Sequence, residues 1–363
     1  IKMDPSELKL EHETLSLLLV LNCIVLVLSL LFGYFIYQKI LSKKQLNGIL
    51  DPSLSSNSIT VTQLIIYPIK SCSGISLNSV NLTSTGFEND RLFMFIDSNQ
   101  NFISQRKLPF LATVQANFSP CNSNLILSAP HINSLTIPII KSSSSDSKVV
   151  TIWGESCNAV DQGDLIAHWF QMLLENQRKS RSKSEKQYSE LFLPVYNNVR
   201  LVRIEERFHR SIEYGFVRGN NPQKHQVSFA DGYPILLATE ESFTEVKKHL
   251  SDGEHGEEDV DIGRFRANLV VKGSGKAWIE DVNWFRLEIG KEKLSFQVCK
   301  KCERCKLPTV DQKTGVMGTE PMKTLSEFHK DSEGKVCFGQ NLVNEHKKGV
   351  ISVGDSVRVF VRS

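Results

Sequence analysis

The segment Leu294-Ser295-Phe296-Gln297-Val298-Cys299-Lys300-Lys301-Cys302-Glu303-Arg304-Cys305-Lys306-Leu307-Pro308-Thr309-Val310-Asp311, followed by Thr314-Gly315, joins a strand to the densest chemistry in the chain. Leu294 to Val298 reads as a strand, and the cysteines follow it. Three chemistries suit them. A structural zinc site needs four Cys or His ligands, commonly as two pairs, so Cys299, Cys302 and Cys305 would need a distant Cys337 or His329. A thioredoxin-like pair belongs at a helix start within a βαβ unit, not after a strand. A single thiolate on a soft transition metal needs only one cysteine, and Lys300, Lys301, Arg304 and Lys306 surround it with positive charge. Spacing and composition leave the three open.

Outward from this segment the chain is rich in short β-like runs. Ile59 to Tyr67, Arg91 to Ile96, Val149 to Trp153, Val199 to Ile204, Asn268 to Val271 and Val357 to Val361 are β-branched and apolar. Asp97-Ser98-Asn99-Gln100-Asn101 reads as a hairpin connection. A helix is expected with Leu165, His168, Trp169, Met172 and Leu173 on one face and Asp164 at its start; His168 is read as a helix-face residue. Shorter helices are expected at Glu240 to Leu250 and Met322 to Lys330. The expected fold is α+β but predominantly β, a barrel-like core with helical excursions. No dinucleotide fingerprint or P-loop is present, so a redox role needs another cofactor.

The layout expected from the sequence is a tail at 1–14, a transmembrane anchor at 15–37, a linker at 38–58, a β-rich domain at 59–176, a charged loop at 177–190 and a second domain at 191–363. Leu15 to Tyr37 is an uncharged apolar run, and about 20 such residues cross a bilayer as a helix. Lys39, Lys43 and Lys44 follow it, whereas Lys2 and Lys9 before it are mixed with acidic residues, which puts the C-terminal body on the cytosolic side. A net charge of +3 on 363 residues argues against nucleic acid as a partner. Eight unevenly spread cysteines suit reduced thiols better than a disulfide framework.

The run from Cys302 to Asp311, with Thr314-Gly315, resembles the C-terminal signature of MOSC-domain proteins, C-x-R-C-x-x-T-T-V-D-x-x-T-G. Within that family the chain most resembles the mitochondrial amidoxime-reducing components, which also carry an N-terminal anchor. Tyr67-Pro68-Ile69-Lys70-Ser71-Cys72, Asp90-Arg91, Tyr233 to Leu237 leading into Thr239-Glu240-Glu241-Ser242, Arg264-Phe265-Arg266-Ala267-Asn268, Phe338-Gly339-Gln340 and Val353-Gly354-Asp355 follow in the family's order. Alanine stands at 267 where the family has proline, Asn341 where the nearer relatives have tyrosine, and Lys306 and Pro308 replace less polar or hydroxylated residues.

The resemblance implies a MOSC N-terminal β-rich domain and a MOSC β-barrel domain. It implies a molybdenum-molybdopterin cofactor whose metal is bound by Cys305, with Cys302 as the alternative. Lys70, Ser71, Arg91, Thr239, Ser242, Arg266, Asn268 and Arg304 are the implied cofactor contacts. The implied activity is reduction of N-hydroxylated compounds such as amidoximes and hydroxylamines. Electrons would come from NADH through cytochrome b5 reductase and cytochrome b5, at the mitochondrial outer membrane. Lys300, Lys301 and Lys306 would attract an acidic electron donor. MOSC domains also occur in cofactor sulfurases, so a cofactor carrier or sulfur-transfer module is the alternative; a zinc-stabilised membrane adaptor is the non-enzymatic one.

Overall fold

The computed structural model describes residues 21, 22, 24–34, 36, 49, 50, 59–141, 147–179, 196, 198–208, 210–212, 214–218, 225–251, 260–282 and 284–361. The chain forms two compact units, one of residues 1–49 with 362–363, the other Leu50–Val361. In the first, residues 24–34 are helical, with exposed side chains such as Leu26 and Leu30. Among the described residues no helix is long and apolar enough to cross a membrane. The fold therefore does not show the anchor expected at Leu15–Tyr37, whose ends lie outside the described residues. Apart from Ile49 and Leu50, the expected linker 38–58 lies outside them too.

The second unit is built on a closed sheet. Its seven strands run, in neighbour order, Ser356–Val361, Trp284–Ile289, Leu294–Glu303, Cys337–Asn344, Ile235–Thr239, Leu269–Lys272 and Ile59–Ile66, which pairs back to Ser356–Val361. Leu269 and Leu237 pair in parallel, whereas Leu64 lies opposite Leu269 and Leu287 opposite both Phe296 and Val359. These side chains and Leu342 point inward and are all but fully buried, so each strand adds at least one large apolar group to one core. The first strand of the body is thus sealed into a barrel made mostly by the C-terminal half.

Gly339 shows how tightly one barrel seam closes. It has φ +79°, and a Cβ there would lie 2.5 Å from the Leu237 carbonyl oxygen, so no other residue fits without parting Cys337–Asn344 from Ile235–Thr239.

Beside the barrel, Ser147–Ile152, Glu155–Asp161, Arg200–Ile204 and Phe93–Ile96 form a four-stranded antiparallel sheet. Gln115–Phe118, Asn124–Ala129 and Ile132–Pro138 form a separate three-stranded one. The expected 97–101 connection is a tight turn in which Asn101 and Gln100 engage Asp97. The helix Asp164–Lys179 covers this region and buries Trp169 and Leu173 as expected, but its buried face is turned slightly from the expected one. Ile166, Trp169, Phe170, Leu173 and Leu174 are buried, while Leu165 and Met172 face out. Both sets have helical spacing; the buried set places Phe170 against Phe95, 4.5 Å between ring centroids, and that packing decides the rotation. His168 is on the exposed side. Asp164 opens the helix with its carboxylate on Arg200 at 2.6 Å. The helix also runs on to Lys179, into the stretch expected as a loop, where Arg178 and Lys179 complement its C-terminal dipole.

Candidate functional site

A cleft of about 160 Å3 opens at one end of the barrel. The C-terminal ends of Ile59–Ile66 and Leu294–Glu303 meet there with the N-terminal ends of Ile235–Thr239 and Leu269–Lys272. Lys70, Ser71, Arg91, Arg266, Asn268, Cys302, Arg304 and Cys305 all line it. Residues far apart in the chain are brought together because antiparallel pairing puts their strand ends side by side.

The floor is a stack of cations around one aromatic ring. Tyr67 is sandwiched between the guanidinium groups of Arg91 at 4.2 Å and Arg266 at 4.1 Å. Its hydroxyl donates to the Ala267 carbonyl at 3.2 Å, and burial pushes the phenol up to about 12. Arg91 Nη1 forks onto both oxygens of buried Asp90 at 2.7 Å, and its Nη2 donates to Arg266 O at 3.3 Å. Asp90 also accepts from Tyr67 N at 2.8 Å and Asn268 Nδ2 at 3.1 Å. Arg266 donates Nη1 to Cys72 O at 2.7 Å, while its buried Nη2 has no partner among the described residues. Burial, then repulsion from Arg91, brings its pKa down to about 10. Ser71, Arg91 and Arg266 all hold left-handed backbone, with φ of 66°, 47° and 59°. Non-glycine residues rarely take that conformation, and such strain gathers where backbone must aim side chains at a ligand.

Lys70 is buried at the cleft wall, donating to Phe229 O at 2.9 Å and paired with Asp231. Burial lowers its pKa and Asp231 opposes the shift. Sequence reading missed Tyr67, Asp231 and Arg106 as site residues. Tyr67 sat inside a quoted motif with no charge to draw attention; the other two carry no local signal, because their neighbours come from distant segments.

The strand Leu294–Glu303 runs longer than expected and carries the first two cysteines itself, with register breaks at Val298/Lys300 and Lys301/Glu303. The breaks separate the thiols. Cys299 packs beside the apolar cluster of Ile212, Val227, Tyr233 and Val343, and burial raises its pKa to about 12. Cys302 turns to the cleft, where Arg304 Nη1 donates to its Sγ at 3.0 Å and Arg304 Nη2 to Phe265 O at 2.9 Å. Cys305 follows the strand and is exposed in the cleft. Among the described residues no three His, Cys, Asp or Glu side chains converge to hold a metal, and the described cysteines are free. The downstream motif is scaffold. Asp311 takes hydrogen bonds from Thr314 N, Thr314 Oγ1 and Lys313 N and an ion pair from Arg264 at 2.9 Å, while Gly315, at φ +69°, packs where a Cβ would lie 2.8 Å from Phe110 Cα.

Thr239 and Ser242 lie elsewhere. Both are fully buried at the start of helix Glu240–Ser251, where Thr239 Oγ1 accepts from Ser242 N at 3.2 Å and both hydroxyls donate to Glu280 Oε1, at 2.9 and 2.6 Å. They cap a helix and hold a buried acid instead of reaching the cleft. Lys301, expected on a docking edge, is tied to Asp281 at 3.4 Å, and Lys300 lies over the Phe216 and Tyr233 rings.

Glu280 gives a pH-dependent prediction. Its Oε2 is buried with no partner among the described residues, and burial raises its pKa to about 7 despite the Ser242 hydrogen bond. A carboxyl raised in the folded state favours folding while protonated, so its contribution is complete below the unfolded value of 4.5 and is lost as pH rises through about 7. The unfolding free energy from urea titration is expected to fall between about pH 5 and 8, by up to roughly 3 kcal/mol. Glu280→Gln should flatten that slope; an unchanged slope would place the titration elsewhere.

The MOSC N-terminal beta barrel domain matches residues 58–177 and the MOSC domain residues 224–358. The chain is 30% identical to mitochondrial amidoxime-reducing component 1 of Mus musculus, over 82% of this chain and 81% of that protein. It is 29% identical to the Homo sapiens protein of the same name, over 82% of each. It is also 27% identical to the molybdenum cofactor sulfurase of Danio rerio, over 85% of this chain but only 35% of that protein, so it spans about a third of that relative's length. A solved structure, the YUAD protein of Bacillus subtilis, aligns at TM-score 0.37 and 11% identity over 85% of this chain and 98% of that one. Two matched domains in order, and a relative of similar length over four-fifths of both chains, give one conclusion: the chain belongs to the MOSC-domain family.

Proposed function

We propose that the chain is a molybdenum-cofactor reductase of N-hydroxylated compounds, with the pterin cofactor in the barrel-end cleft and Cys305 as the protein ligand to the metal. The observation that carries this reading is the cleft itself, where Lys70, Arg91, Arg266 and Arg304 meet beside an exposed thiol. The donor set suits a phosphorylated pterin. Among the described residues Arg266 Nη2 and Arg304 Nε are buried without partners, and an anion with several acceptor oxygens would satisfy such donors. A metal held mainly by a dithiolene needs one soft protein ligand, so the absence of a multi-residue cage among the described residues suits this cofactor better than structural zinc.

When bound, the cofactor supplies the two-electron redox chemistry. The protein's part is binding and orientation. Asp90 aims Arg91, Tyr67 spaces Arg91 from Arg266, and Arg304 braces Cys302 next to the ligand position. Electrons would come from NADH through cytochrome b5 reductase and cytochrome b5. The segment Leu15–Tyr37 would anchor the body on the cytosolic side of the mitochondrial outer membrane, beside those partners, where shared anchoring raises effective concentration. Purified protein is expected to carry molybdenum and pterin, and to convert benzamidoxime to benzamidine with NADH when both partners are added. Zinc without molybdenum would overturn the reading.

A cofactor carrier or sulfur-transfer module is the second reading. It is favoured by the sulfurase relative and by Cys302, a second thiol in the cleft held by Arg304. Persulfide on Cys302 or Cys305, with no benzamidoxime turnover, would favour it.

A further inference from the structure

The mouth of the cleft has chemistry that its floor lacks. Trp153 and Gly154 form the tip of the hairpin joining Ser147–Ile152 to Glu155–Asp161. Trp153 sits at φ +52° and is 54% exposed. Glycine, asparagine or aspartate normally takes such a turn position, so a large aromatic there is costly unless it serves another contact. Its ring packs on Phe102 at 5.0 Å, Arg106 lies over it at 4.6 Å, and Nε1 donates to Asp231 Oδ1 at 2.8 Å. Phe102, Arg106 and Asp231 all line the cleft.

Lys70 donates to the same oxygen of Asp231. Among the described residues Oδ2 takes no hydrogen bond, and the side chain is 68% exposed. Partial desolvation opposes its charge, but Lys70 and the Trp153 N–H outweigh that and hold the carboxyl below its usual range. The cleft's other lining acid, Glu303, is paired with Lys335, so Asp231 presents an ionised oxygen open to a ligand beside an aromatic wall at the rim of a mainly cationic cleft.

We infer that Trp153 and Asp231 form a substrate-selecting edge for planar N-hydroxylated amidines and guanidines, a specificity that rests on the reductase reading. The amidine group is flat and its amino N–H can donate to the open carboxylate oxygen; its face and any attached ring suit the Phe102–Trp153 wall. A linear alkylhydroxylamine has no flat face for the Phe102–Trp153 wall and gains less at this edge.

The test uses the molybdenum-loaded full chain. Trp153→Ala and Asp231→Asn are each expected to raise KM for benzamidoxime about five- to tenfold more than they raise KM for a linear alkylhydroxylamine. Asparagine keeps an oxygen for Lys70 and Trp153 while removing the charge, and Trp153→Phe should recover most of the loss. Calorimetric binding of benzamidine reads the edge without turnover, and Asp231→Asn should weaken it by a similar factor. Equal KM losses on both substrates, or benzamidine binding unaffected by Asp231→Asn, would overturn the edge. If neither compound is reduced but benzamidine binding depends on Asp231, the edge stands and the reductase reading falls.

Discussion

Cys305→Ala is expected to remove benzamidoxime turnover by more than about 100-fold and to release molybdenum from the purified protein. Loss of a residue outside the metal's own ligands commonly costs 10- to 100-fold, so loss of the proposed protein ligand should exceed that range. The position supports the choice. Cys305 lies just past the end of Leu294–Glu303, exposed in the cleft, whereas Cys302 Sγ already accepts from Arg304 and Cys299 lies in an apolar cluster. Cys302→Ala is therefore expected to keep metal and to lower turnover less, since it removes a partner of Arg304. Cys299→Ala removes a partly buried thiol and is expected to leave both readouts close to the parent. Metal content by mass spectrometry and NADH-driven turnover separate the three. Full turnover in Cys305→Ala, or complete metal loss in Cys302→Ala alone, would move the ligand to Cys302.

How much of this was legible in the sequence varies with the kind of information each residue carries. The strand Ile59–Ile66 and the helix Glu240–Ser251 are visible because their apolar periodicity is local. The face of Asp164–Lys179 is not, because two apolar stripes have equal spacing and only contacts such as Phe170 with Phe95 choose between them. Closure of the barrel through Ile59–Ile66 and Ser356–Val361 is invisible as well, since pairing between chain ends leaves no local pattern. At the site, motif order marked Lys70, Ser71, Arg91, Arg266 and Asn268, and the strand ends bring them into one cleft. Thr239 and Ser242 do not line that cleft. Hydroxyls ahead of a helix serve its cap as readily as a ligand, and only the buried Glu280 shows which role holds. Asp231 and Trp153 lie outside every motif, so only the geometry connects them.

Asp90→Ala is expected to destabilise the protein by about 3–5 kcal/mol, the range for removing one partner of a buried ion pair. The Asp90 side chain is only 2% exposed, and its carboxylate is the meeting point of Arg91, Tyr67 N and Asn268 Nδ2. Alanine leaves an N–H, an amide and a 13% exposed guanidinium without their acceptor. It also removes the charge that balances Arg91 and Arg266 on either face of Tyr67, so the two guanidinium groups repel with less compensation. Ordinary domains are stable by roughly 5–15 kcal/mol, which makes such a loss large enough to threaten recovery of folded protein. Asp90→Asn keeps the shape and one acceptor oxygen, and is expected to cost about half as much. Urea unfolding decides the matter: both variants should show a lower midpoint at an unchanged slope, alanine below asparagine. An Asp90→Ala protein within about 0.5 kcal/mol of the parent would show that the cation stack is held by its aromatic and backbone contacts instead of by this carboxylate.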